Sequence, residues 1–270
     1  MNRTTPHYPI SSAPGVVDRA VMRLGTIAPI KCPVCGRVSV ARGFGKNLRE
    51  TGRCRSCGAT NRNRQLAYVA ARAVAERTGQ KVDSLMAVAR TADLVIYNTE
   101  AQGALHDQLQ AMPGYLCSEY LGPGHESGEI VGDTTHQDLM ALSYADASID
   151  LVLSSDVFEH VPDPYGAHAE VHRVLRPGGH HVFTVPFHQH TPFDDVRARL
   201  NDDGELELLA DAIYHNDPVR REGVLVFTIF GLQMLVRLAE RGFDTRMYAL
   251  HSPWHGIVGT NALVFDAVRV

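Results

Sequence analysis

Residues 138–186 read DLMALSYADASIDLVLSSDVFEHVPDPYGAHAEVHRVLRPGGHHVFTVP, and their reading decides the fold. Residues 149–154 are a short, apolar, β-rich run, the pattern of a strand buried on both faces. Asp163-Pro164 then opens a helix, with Asp163 as N-cap and Pro164 at the first helical position. Ala167, Val171, Val174 and Leu175 recur at helical spacing and give one apolar stripe. Pro177-Gly178-Gly179 is the expected stop, and residues 181–185 (HVFTV) are the next strand. A strand–helix–strand unit of this kind predicts a parallel sheet. Ligands of such sheets sit at the carboxyl ends of the strands, here Ser154-Ser155-Asp156 and Pro186-Phe187-His188.

The run DLMALSYADASIDLVLSSDVFEHVPDP, followed by EVHRVLRPGG, resembles the class I S-adenosylmethionine (SAM) methyltransferases, type 11-like. The resemblance covers roughly residues 85–270 and is closest to members that carry a cysteine-rich amino-terminal segment. It implies an α/β, Rossmann-like sheet of seven strands in the order 3-2-1-4-5-7-6, with a small amino-terminal zinc ribbon. It also implies SAM as methyl donor.

Upstream, Cys32-Pro-Val-Cys35-Gly and Cys54-Arg-Ser-Cys57-Gly form two knuckles. Each places two thiolates on one tight turn, and together they supply the four sulfurs of a tetrahedral structural zinc site. Paired disulfides are the alternative, which a cytosolic chain disfavours. Cys117 reads as a core thiol. Between residues 31 and 64 nine basic residues (Lys31, Arg37, Arg42, Lys46, Arg49, Arg53, Arg55, Arg62, Arg64) face Glu50 alone, a balance of +8 in a chain of net charge −4. This excess admits a nucleic-acid partner. Arginines that dock the ribbon onto the rest of the chain are the other reading, and with Phe44 as the sole interleaved aromatic, base stacking has little support.

The chain divides into a lead-in (1–30, with a short helix over 16–24), a zinc ribbon with its linking helix (31–80, the helix over 61–77) and a SAM-binding domain (81–270). At 270 residues, with no apolar run near the ~20 residues that span a bilayer, it reads as a cytoplasmic protein without a membrane partner. The first core strand is expected at 93–97, followed by Asn98-Thr99-Glu100, then Gly103 and a helix from Ala104. The resemblance puts the methionine part of SAM against this turn. The sequence departs from the family there: Tyr97 stands in place of the usual acidic residue, Gly103 alone remains of the glycine pattern, and Glu100 is the nearby acid. The second strand, over 115–119, ends on Glu119-Tyr120, where the resemblance implies a carboxylate for the ribose hydroxyls. The third short strand ends at 136–139, and Asp138-Leu139 are implied to hold the adenine. His160, in the EHV motif, is read as a wall of the methionine pocket.

Residues 187–221 interrupt the sheet after strand five and contain a hairpin signal around Asp203-Gly204. Such an insertion shapes the acceptor pocket. His188, His190 and His215 are the candidate bases for a hydroxyl or ammonium acceptor. A metal on His188 and His190 would want a third ligand. A helix over 231–241 and strands over 244–250 and 261–268 complete the chain. The leading expectation is methyl transfer to a small-molecule acceptor, sugar-containing or a secondary metabolite. An RNA methyltransferase gripping its substrate with the ribbon, and a SAM-binding module without methyl transfer, are the alternatives.

Overall fold

The computed structural model describes residues 15–90, 93–215, 223–260 and 263–270. The lead-in over 1–12, Asp217 with the end of the insertion, and the start of the last strand at Asn261 lie outside them. The chain forms two units. The first comprises residues 1–92, 102–113 and 247–264, the second residues 93–101, 114–246 and 265–270.

In the first unit, helix α1 (Val16–Leu24) is the expected helix. The Gly15 N–H donates to Asp18 Oδ2 at 3.0 Å, and Asp18 Oδ1 accepts from the Gly259 N–H at 2.9 Å. Strands β1 (Thr26–Lys31), β2 (Val38–Arg42) and β3 (Arg53–Cys54) form an antiparallel ribbon in that order. Helix α2 (Asn61–Thr78) follows the second knuckle. Thr60 and Asn63 cap it reciprocally: the Asn63 N–H donates to Thr60 Oγ1 at 3.3 Å and the Thr60 N–H to Asn63 Oδ1 at 3.0 Å. Its face of Leu66, Val69, Ala70, Ala73 and Val74 is buried, as the periodicity predicts. Helices α3 (Leu85–Val88) and α4 (Gly103–Leu109) bury Leu85, Val88, Leu105 and Leu109 in the same unit.

The second unit is built on a sheet. Strand β4 (Ile96–Asn98) pairs in parallel with β5 (Tyr115–Cys117) on one side. On its other side lies β8 (Ile149–Ser155), every residue of which is buried, as the continuous apolar run predicts. A small antiparallel pair, β6 (Ile130–Val131) and β7 (Thr134–Thr135), precedes β8 in the chain. Strand β9 (Leu175–Thr184) is parallel to β8, and β17 (Leu263–Arg269) antiparallel to β9. With β16 (Phe243–Ala249) at the edge, the order is β16-β17-β9-β8-β4-β5. Six strands are thus paired among the described residues. The third strand, expected to end at 136–139, is a single parallel bridge, Glu119 to His136, and residues 134–135 pair instead within β7.

Helix α5 (Pro164–Val174) begins as expected, with Asp163 Oδ1 accepting from the Gly166 N–H at 2.9 Å. It ends before Pro177. Leu175 is already extended and pairs with Ile149, and the next partners are Leu151 and His180, so Pro177-Gly178-Gly179 forms a bulge inside β9. The tight packing requires it: a Cβ on Gly179 would lie 2.8 Å from the Arg176 carbonyl oxygen. Among the described residues the insertion and the segment that follows it form three short antiparallel pairs. Strands β11 (Ala198–Leu200) and β12 (Leu206–Leu208) make the expected hairpin. Strand β10 (Asp195–Val196) pairs with β15 (Thr228–Ile229), and β13 (Tyr214–His215) with β14 (Val224–Leu225). Helix α6 (Gln233–Glu240) follows. No described helix is long and apolar enough to cross a membrane.

Candidate functional site

The two knuckles bring Cys32, Cys35, Cys54 and Cys57 together, with all four sulfurs within 4.8 Å of one another. Cys32 Sγ and Cys57 Sγ are 3.8 Å apart. Sulfurs at the usual ~2.3 Å from a tetrahedral zinc lie about 3.8 Å from each other, so the donor set fits the ion. Hydrogen bonding among the sulfurs drives the Cys54 thiol far down and Cys35 down to about 6, and drives Cys32 and Cys57 up. Four sulfurs could complete a tetrahedral zinc without a ligand from a substrate.

The ribbon's basic residues fall into three groups. Arg64 is fully buried, and its guanidinium donates to the carbonyl oxygens of Gly52 and Ala59 at 2.7 Å each and of Gly256 at 2.8 and 3.1 Å. Burial pushes its pKa down, and the charge of Cys32, Cys54 and Cys57 pulls it back. Arg49 and Arg62 pair with Glu50, and Lys31 with Asp83 at 3.4 Å. Arg37, Arg42, Lys46, Arg53 and Arg55 are exposed, and Arg42 and Arg53 stand directly opposite each other in the ladder.

In the second unit the parallel register aligns four strand ends. Asn98 is level with Cys117 and with Leu153, and Ser155 is level with Thr184. Asn98, Thr99, Glu100, Glu119, Tyr120, Ser154, Ser155 and Asp156 therefore sit at or just past one edge of the sheet. The Asn98 amide donates to the Glu100 carbonyl oxygen at 2.8 Å and to the Tyr115 hydroxyl at 3.1 Å. Asn98 Oδ1 and Thr99 Oγ1 are buried without a hydrogen-bond partner, an arrangement that suits a polar ligand at this edge. Glu119 Oε1 accepts from the Ala101 N–H at 2.9 Å, so the carboxylate also ties down the loop after β4. Asp138 Oδ1 accepts from the Met140 N–H at 2.8 Å, the Asp138 N–H donates to Ser127 Oγ at 2.9 Å, and Leu139 is buried. Ser154 Oγ meets His181 Nε2 at 3.0 Å in the core. Asp156, with φ of 56°, accepts from Thr184 Oγ1 at 2.8 Å. Gly103 begins α4 and belongs to the first unit. Tyr97 is buried and shares a 2.7 Å hydrogen bond with Ser118, which explains an aromatic where an acid was expected: the position faces the core. Cys117 is half-buried, and burial raises its pKa, so it is no thiolate nucleophile.

The histidines separate sharply. His188 and His190 are exposed, with the His188 N–H donating to the Phe230 carbonyl oxygen. His168, His180 and His181 are core residues. Asp194 anchors the insertion, accepting from the Tyr165 hydroxyl at 2.5 Å and from the Gly231 N–H at 2.8 Å. His215 alone of the three candidate bases meets a buried acid: its Nδ1 lies 3.4 Å from Glu159 Oε1. His160 Nε2 lies 3.7 Å from the same oxygen, and the two imidazoles meet edge to face at 5.0 Å. His160 Nδ1 is 2.8 Å from the Leu225 carbonyl oxygen, which turns the ring toward the insertion. Glu159 is fully buried, and burial pushes its pKa up to about 7. Sequence reasoning missed Glu159. The available signal was its place beside His160 in the motif that follows β8.

Residues 122–183 match the family described as a methyltransferase domain. Strand β8, helix α5 and most of strand β9 lie within the matched segment. An uncharacterized methyltransferase of Mycobacterium marinum is 50% identical over 58 residues, 22% of this chain and 22% of that protein. One of Mycobacterium avium is 43% identical over 84 residues, 25% of this chain and 33% of that protein. The chain thus spans about a fifth to a third of the curated relatives it matches. Among solved structures, a SAM-dependent methyltransferase of Mesorhizobium loti is similar with 19% identity and a TM-score of 0.41, over 65% of this chain and 91% of that one. The 1,6-didemethyltoxoflavin-N1-methyltransferase of Burkholderia thailandensis has 14% identity and a TM-score of 0.40, over 76% and 78%.

Proposed function

We propose that the chain is a SAM-dependent methyltransferase acting on a small-molecule acceptor, with its donor at the carboxyl edge of the sheet. The observation that carries this reading is the aligned edge itself: Asn98, Thr99, Glu119 and Asp156 on adjoining strand ends, with two buried oxygens unmatched, in a chain whose residues 122–183 match a methyltransferase domain. SAM, when bound, supplies an activated methyl group on a sulfonium. The chain's own residues then have to bind, orient and exclude water, and proximity is worth roughly 7–11 kcal/mol of the barrier. Glu119 would hold the ribose hydroxyls, Asp138 and Leu139 the adenine, and Asn98 to Glu100, Gly103, Tyr120, Ser154 to Asp156 the remainder. The domain division at residues 30 and 80 is retained in this reading, with the ribbon as a zinc-held module.

The acceptor side is the insertion. Of His188, His190 and His215, the last is best equipped to handle the acceptor's ionisable atom, because Glu159 stands behind it. SAM binding measured by calorimetry, with release of S-adenosylhomocysteine across hydroxyl and amine acceptors, tests the reading. Donor binding with turnover that falls in His215→Ala supports it, and absence of donor binding overturns it. A second reading, RNA as acceptor, has one observation in its favour. Arg42 and Arg53 face each other across the ladder, a like-charge pairing that costs stability unless an anion answers it. Steeply salt-dependent RNA binding would favour it.

A further inference from the structure

The geometry points to a second metal site, for a small first-row divalent cation, made by Glu159, His160 and His215. One ligand atom from each lies within 4.8 Å of the others, a two-histidine, one-carboxylate set. Atoms about 2.1 Å from a common centre stand ~3.0–3.4 Å apart; His215 Nδ1, 3.4 Å from Glu159 Oε1, meets that separation, and His160 Nε2, at 3.7 Å, would have to close by a few tenths of an ångström.

Three features set this cluster apart from an ordinary ion pair. Both Glu159 oxygens are fully buried and neither makes a well-formed hydrogen bond, with His215 Nδ1 standing off at 3.4 Å, a costly state for a carboxylate. A carbonyl oxygen can only accept, so the contact with Leu225 makes His160 Nδ1 the N–H donor and leaves the Nε2 lone pair facing Glu159. When Glu159 is ionised, two acceptors then confront each other, and a cation between them resolves the conflict. The same hydrogen bond is the outer-shell device that orients metal-bound imidazoles generally. Finally, the strap that carries His215 is fastened over the site. The Phe227 N–H donates to the Glu159 carbonyl oxygen at 2.7 Å, the Val226 N–H to that of Ile213 at 2.8 Å, and β13 pairs with β14. Gly223 allows the close approach: it has φ of 81°, and a Cβ there would lie 2.5 Å from the His215 carbonyl oxygen.

Three protein ligands leave positions for an oxygen of the acceptor. That last role rests on the methyl-transfer reading, whereas binding of the ion does not. The test therefore uses the ion alone. The full chain, its cysteines loaded with zinc, is titrated with Co2+ and followed by absorption and elemental analysis. One further ion per chain is expected, with weak visible bands and no thiolate charge-transfer band. Glu159→Gln and His215→Ala should each weaken it by about 100-fold or more, beyond the 10–100-fold typical of outer-shell losses. His215 is half-exposed on a two-stranded strap, so its variant reports even where Glu159→Gln fails to fold. A folded wild-type chain that takes up no ion beyond the cysteine site overturns the assignment. So does a second ion that both variants retain. A second ion with no effect on SAM-dependent turnover would leave the site standing and remove only its link to the acceptor.

Discussion

Replacing Arg64 by Ala should destabilise the ribbon unit more than any other change among its basic residues. The side chain is fully buried and donates to three carbonyl oxygens, those of Gly52, Ala59 and Gly256, all on buried residues. Gly52 and Ala59 flank the second knuckle, and Gly256 lies 192 residues away in the chain. Truncation leaves three buried acceptors unanswered at about 1–3 kcal/mol each, less the relief of no longer burying a cation. A net loss on the order of 3 kcal/mol follows. Arg64→Met, which keeps much of the volume, should lose nearly as much, because the hydrogen bonds and not the packing dominate. Arg64→Lys should fall between, since one ammonium cannot serve all three oxygens. The chain has a single tryptophan, Trp254, two residues before Gly256, so its fluorescence in urea reports on this unit. Arg55→Ala, at an exposed position, is the control and should shift stability by less than about 0.5 kcal/mol. An Arg64→Ala midpoint within the range of that control would refute the reasoning.

Zinc at the four cysteines should be retained through dialysis, and Cys35→Ser should abolish it and unfold the ribbon, since structural zinc contributes on the order of 10–16 kcal/mol in small fingers; elemental analysis with circular dichroism checks this. Glu119→Ala should weaken SAM binding by about 1.5–3 kcal/mol in calorimetry, the worth of hydrogen bonds to a charged group, and unchanged affinity in both Glu119→Ala and Asp138→Ala would remove the donor assignment. The second unit should lose stability in acid. Burial lowers the pKa of His168 to about 3, with Arg241 adding to the shift, while the unfolded chain protonates near 6.5. The folded state thus binds fewer protons between those values, and stability falls as pH drops from about 6.5 toward 3, by up to about 1.4 kcal/mol per unit. His181 shifts the same way, also by burial. His168 stacks on Phe158 at 4.2 Å, so His168→Phe should flatten the slope in pH-dependent urea unfolding, and an unaltered slope would contradict the assignment.

What the sequence determined by itself is local. The buried run of β8, the Asp163-Pro164 start of α5, the Asp203-Gly204 hairpin and the two knuckles each depend on residues within a few positions of one another. Periodicity and turn chemistry therefore expose them directly. The bulge at Pro177-Gly178-Gly179 was read as a helix stop, because a Pro-Gly-Gly run signals a break without saying which element is broken. The tertiary structure decided everything that pairs distant residues. Arg64 looked like one more basic residue of a nucleic-acid face, and it is a buried clamp because Gly256 brings a carbonyl oxygen to it across the chain. Among the described histidines His136, His168, His180 and His181 are buried, and His215 stands against a buried carboxylate 56 positions earlier. Charge state and partnership are set by desolvation and by neighbours, and neither is a property of the chain until it has folded.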